Sequence, residues 1–106
     1  MLEVEKVRKN EFLKSVIEYY CDEIRKKDSS ILSDPDDTPQ WPKAVFRSMV
    51  NGLHMALKYY GSDKFNAIRK RVNALRWSMI FMSASRAEDE AHLLAAELER
   101  FLQHID

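Results

Sequence analysis

The chain of 106 residues has little that would interrupt a helix: two glycines and three prolines in total. Such sparse punctuation favours long helices over short strands and tight turns. A single cysteine, Cys21, excludes an intrachain disulfide and suits a reducing compartment. The opening Met1-Leu2-Glu3-Val4-Glu5-Lys6 lacks the apolar stretch of a secretory signal. The richest apolar run, residues 77–84, is too short to cross a bilayer and is interrupted by serines. There is no glycine-rich loop to cradle a phosphate. The three histidines and Cys21 lack metal-ligand spacing. Asp34, Asp36 and Asp37 lack the glycine and closing glutamate of a calcium loop. These absences predict a soluble, cytoplasmic, non-enzymatic protein with no cofactor, no metal and no membrane partner.

What is present is an apolar content of 45%, enough for one small core and hence one domain over residues 1–106. The spacing predicts four helices. In residues 2–27, Phe12, Leu13, Val16, Ile17, Tyr20 and Ile24 share a face. Residues 28–41 read as an acidic, Pro- and Ser-containing loop, with Ile31, Leu32 and Trp41 available to tack it down. Pro42 suits the first position of a second helix, whose core stripe is Val45, Phe46, Met49, Leu53, Ala56, Leu57 and Tyr60. Gly52 within it suggests close helix approach, and Gly61 closes it. Ser62 or Asp63 then caps a third helix burying Phe65, Ile68, Val72, Leu75, Met79 and Met82. Ser85-Arg86-Ala87-Glu88 matches a capping box and starts the fourth, which buries Ala91, Leu94, Ala95, Leu98, Phe101, Leu102 and Ile105. The expected fold is an all-α, compact four-helix bundle with one long connection.

Charge is segregated although the total is zero. Residues 42–86 hold nine basic side chains and one acid, Asp63, whereas the stretch after Arg86 carries six acids against Arg100. A one-sign face is the footprint of a polyanion site. On the second helix Lys43, Arg47, His54 and Lys58 fall at i, i+4, i+11 and i+15, one row about 22 Å long that points away from the predicted stripe. On the third, Lys64 and Arg71 flank the core on one side, Arg69 and Arg76 on the other, and Lys70 faces outward. Trp77 and Phe81 share that outward side, where they suit base stacking or a protein partner; the competing reading places both in the core. A solvated face is the competing reading for the basic row, and Arg69 or Arg71 could instead pair with Glu88, Asp89, Glu90 or Glu97.

Arg86 and His92, separated by five residues, resemble the ribonuclease motif of the HEPN family, although Ala87 follows the arginine. If that resemblance held, the pair would cleave RNA; the bland alternative is a capping-region arginine and a surface histidine. A second resemblance covers one helix. Residues 42–57, Pro-led and containing Asn51-Gly52-Leu53 followed by Leu57, are similar to a helix of the small helical subunits of CRISPR effector complexes. That resemblance implies a non-catalytic subunit stacked along a guide RNA, contacting RNA or single-stranded DNA backbone and other subunits, copies of itself included. Lys43, Arg47, Lys58, Lys64, Arg69, Lys70, Arg71 and Arg76 would then meet phosphate, and Trp77 and Phe81 a partner. A helical protein-binding adaptor or phage-type inhibitor remains the alternative.

Overall fold

A computed structural model describes residues 2–27 and 41–104 of the chain. Its described residues form four α-helices: α1 (Leu2–Lys26), α2 (Lys43–Tyr60), α3 (Asn66–Ser78) and α4 (Ala84–His104), with short 3-10 turns at Asp63–Phe65 and Met79–Phe81. The predicted loop lies outside the described residues except for Trp41, as do Ile31, Leu32 and Ile105. Trp41 packs against the core, and the Lys27 ammonium sits 5.5 Å from its ring centre.

The core is one cluster built from every helix. Leu13, Ile17 and Ile24 of α1 meet Phe46, Val50 and Leu57 of α2, Val72 and Leu75 of α3, and Leu94 and Leu98 of α4. α2 is the central element, packed on α1, α3 and α4, whereas α3 leans mainly on α2. α2 runs antiparallel to α1 and to α3, whereas the contacts of α1 with α4 advance in the same direction along both helices. Phe12 of α1 stacks edge-on against Tyr60 of α2 at 5.0 Å, and Phe65 before α3 meets Phe101 of α4 at 5.5 Å.

Close approach is achieved by alanine rather than glycine. Ala87, Ala91 and Ala95 form a buried stripe along α4. With only methyl groups there, the α4 backbone is within reach of α1: Tyr20 donates its hydroxyl to the Ala91 carbonyl at 3.2 Å and Cys21 its thiol to the Ala95 carbonyl at 3.5 Å. Arg25 continues the line with an ion pair to Glu99. Burial, ahead of any charge, pushes the Cys21 thiol up to about 11 and the Tyr20 phenol further still.

Four details depart from the sequence expectation. Gly52 is exposed, and an added Cβ would meet nothing within 4 Å, so it permits no close packing. α2 is rolled so that Val50 and His54 are buried while Tyr60 is 45% exposed. The third helix ends at Ser78, and the chain tightens into the 3-10 turn before Met82. α4 is capped two residues before the predicted cap: Ser83 takes that role, its Oγ accepting from the Arg86 N–H at 3.2 Å and its carbonyl from the Ala87 N–H at 2.9 Å. Met82 is extended immediately before it, which makes Ser83 the first serine able to cap.

The two glycines respond oppositely to alanine. Gly52→Ala raises stability by about 0.5–1 kcal/mol in urea denaturation, because an exposed helical position gains propensity. Gly61→Ala lowers it: its φ of −74° is ordinary, but a Cβ would fall 2.3 Å from the Leu57 carbonyl oxygen. Cys21 resists alkylation in the folded protein and reacts on unfolding. Its folded pKa is raised, so the unfolded chain ionises first and stability falls as pH rises from 9.0 towards about 11, with Tyr20 acting in the same direction.

Candidate nucleic-acid interface

α2 and α3 are joined by a short connection through Gly61 and Ser62, so they lie side by side in opposite directions. The flank of α2 bearing Arg47, His54 and Lys58 therefore faces the flank of α3 bearing Arg69 and Arg76. At the far end of this seam the Lys43 ammonium donates to the carbonyls of Ile80 and Met82, each at 3.0 Å. That pair of bonds engages carbonyls of the turn after α3 and ties the start of α2 to it. Lys43 is thus occupied by the fold.

His54 marks the middle of the seam. It belongs to the predicted row, but it is 7% exposed and turned inwards, because the row borders the buried face of α2 instead of opposing it. Burial lowers its pKa first, followed by the charges of Arg76, Lys58 and Arg69, and these place both helices' cations around one imidazole. Its Nδ1 is sealed with no hydrogen-bond partner, and so are the Nε atoms of Arg47, Arg69 and Arg76. Arg76 is partly held: it accepts no help from a carboxylate but donates to Asn73 Oδ1 at 3.0 Å, and its guanidinium lies 4.9 Å from the Trp77 ring centre. Lys58 is exposed, 5.6 Å from the Tyr59 ring centre.

The other predicted cations part company with this group. Arg71 turns to α4, where its Nε donates to Glu97 at 3.0 Å and its guanidinium lies 3.9 Å from Glu90. Lys64 is exposed in the turn before α3, and Lys70 is exposed on the outer face. The basic block is therefore divided. Arg47, Lys58, Arg69 and Arg76 share the α2–α3 seam; Lys43 and Arg71 are engaged within the fold; Lys64 and Lys70 lie outside the seam.

The aromatic pair is outside the core. Trp77 is 58% exposed and Phe81 90%, with Ile80 also exposed beside them. Among the described residues α3 has one principal neighbour, α2, and its outer face is left uncovered by them. The Arg76–Trp77 contact puts the indole on the lip of the cationic seam. Asn51 and Asn73, both half-buried, border it from α2 and α3.

Arg86 and His92 are not brought together. Six residues on one helix project onto different faces, Arg86 is exposed, and His92 is half-buried with Nε2 sealed and unpartnered. Among the described residues no three metal-ligating side chains converge, and no helix is long and apolar enough to cross a membrane. An open groove of about 410 Å³ between α1 and α2, lined by residues including Tyr19, Glu23, Ala44 and Met49, was not foreseen from the sequence. No family model matches the chain, and comparison with curated proteins and with solved structures returns no significant match.

Two arginines two residues apart separate the structural cations from the available ones. Arg71→Gln loses the Glu97 and Glu90 contacts and lowers stability by up to about 1 kcal/mol. Arg69→Gln, which relieves repulsion in the seam, leaves the thermal midpoint unchanged or raises it. Melting curves of both variants at low and moderate salt check this, with the gap closing as salt screens the seam.

Proposed function

We propose that the protein binds a single-stranded nucleic-acid backbone through the α2–α3 seam and performs no catalysis. The observation that supports this most is the group of three cations, Arg76, Lys58 and Arg69, acting on one buried imidazole, with Arg47 further along the same row and the Nε atoms of Arg47, Arg69 and Arg76 unpartnered. Crowding like charges costs stability, and a face built for solubility alone mixes signs. A polyanion lying along the seam would neutralise the crowd and accept hydrogen bonds from the outer parts of the guanidinium groups. From Arg47 to Lys58 the row runs about 16 Å, the length of a few nucleotides. Trp77 on the lip offers a ring for an unpaired base, and stacking of this kind is worth about 1–3 kcal/mol per base. Backbone contact and stacking tolerate any sequence, as a subunit needs where base pairing elsewhere supplies specificity.

The more specific form of this reading, a small subunit of a CRISPR ribonucleoprotein effector, rests on the resemblance of residues 42–57. Arg47 lies in that stretch and also in the seam. Copurification of a guide RNA and a large subunit with the chain in its native host tests it.

A second reading has its own observation. Trp77, Ile80 and Phe81 form an apolar patch at the end of α3, and among the described residues Phe81 is the most exposed large hydrophobic one. This is the kind of anchor a protein partner would cover, as in an adaptor or inhibitor. Sedimentation with and without nucleic acid separates the two: assembly without nucleic acid, unaltered by adding it, favours the adaptor.

For the strand reading, a fluorescent oligothymidylate binds the wild-type chain at low salt, and log K falls against log salt with a slope near −3 for four neutralised phosphates, about −0.7 each. Arg47→Glu with Arg69→Glu weakens binding at least tenfold and flattens the slope, with an unchanged helical spectrum. Arg71→Gln stays within twofold of wild type. Equal binding by the double variant removes the proposal.

A further inference from the structure

We infer that the seam seats a strand phosphate against His54 and that seating it places a proton on the imidazole, so that strand binding tightens as pH falls. This rests on the strand-binding reading above and adds a regulation to the same site.

His54 is not explained by the fold. A histidine that is 7% exposed ordinarily donates or accepts a hydrogen bond, yet Nδ1 is sealed without a partner. The charges acting on it are Arg76 and Arg69 from α3 and Lys58 from its own helix, with Arg47 further along the same row. Among the described residues, the charges that shift it are these three cations, from α2 and α3, and none is a carboxylate. Burial first, and then these cations, disfavour the charged form of the imidazole. Apolar Leu or Met would fill the volume without a stranded nitrogen.

An anion reverses the local field. A phosphodiester between Arg69, Arg76 and Lys58 opposes the three cations, and a protonated ring is then attracted where it had been repelled. In the free protein burial and the cations hold the pKa below the usual imidazole value of 6.5. Bound phosphate raises it, so binding takes up a proton. Affinity therefore increases as pH falls through the bound-state pKa and levels off below the free-state one. Each unit between the two is a tenfold gain at the low-pH limit.

The test is the affinity of the wild-type chain for oligothymidylate at constant low salt between about pH 8 and pH 5.5, a window in which neither thymine nor the phosphodiester titrates. The expected result is binding roughly three- to tenfold tighter at the acid end, lost in His54→Gln, whereas His92→Gln and His104→Gln keep it. Because a substitution at a buried site can perturb folding, the His54 ring resonances of the wild-type protein are titrated as well, with and without the oligonucleotide. Their apparent pKa moves up on binding. Binding without pH dependence, a pH dependence that survives in folded His54→Gln, or a ring pKa unmoved by bound strand overturns this inference and leaves strand binding intact. Absence of binding at every pH removes the strand reading, and this inference with it.

Discussion

The arrangement depends on how much of α2 is consumed by packing. It touches α1, α3 and α4, so its buried residues Phe46, Val50, Leu53, His54 and Leu57 occupy a wide arc. At about 100° per residue, the row of Lys43, Arg47, His54 and Lys58 falls at one edge of that arc and not opposite it. It lies at the border of the buried arc, and here that border is the contact with α3. The seam is thus a consequence of the packing: the cations of two antiparallel helices are placed together because each helix must bury the residues beside them. Lys43, at the end of the same row, is used to close the structure, which leaves the middle of the row for other work.

The alanine stripe of α4 has the complementary effect on the far side of the molecule. Ala87, Ala91 and Ala95 bring α1 close enough for Tyr20 and Cys21 to reach main-chain carbonyls, and Arg25 and Glu99 extend the contact to the surface. α4 also draws Arg71 away from the seam through Glu97 and Glu90. The acidic fourth helix therefore neutralises one flank of α3 and leaves the other flank, with Arg69 and Arg76, facing α2. Charge segregation along the chain becomes charge segregation in space through the handedness of helix side-chain spacing. Arg69 and Arg71 sit on opposite flanks because two residues advance about 200° around the helix axis.

Helix number and most of the core were legible from periodicity, since an apolar stripe such as Phe65-Ile68-Val72-Leu75-Met79 has one way to be buried. The flank assignment on α3 was legible for the same reason. What periodicity could not supply was the rank of each helix in the packing. It leaves open whether α2 or α3 is central, and so whether Trp77 and Phe81 are enclosed; their exposure follows from α3 having one principal neighbour. Gly52 misled because a glycine in a helix signals close approach only where another backbone is near, and none is. His54 misled by a small angle: the row was right, but its distance from the buried arc was not. The start of α4 depended on a choice between two serines, decided by the extended residue before Ser83.

That small angle on α2 separates a surface histidine from one whose protonation a bound anion would change. Had His54 pointed fully outward, water would satisfy both ring nitrogens and the neighbouring cations would be screened. Had it pointed fully inward, the guanidinium groups would be out of range. At the border it is dry enough for its neutral form to prevail and near enough to Arg76, Lys58 and Arg69 for their charge to matter. The same border position is what keeps the Nε atoms of Arg47, Arg69 and Arg76 sealed while the outer parts of these half-buried side chains reach the surface. A surface of this kind holds electrostatic repulsion in the unbound protein that a strand would relieve, and the relief is shared between the arginines, as contact energy, and the imidazole, as a change of protonation.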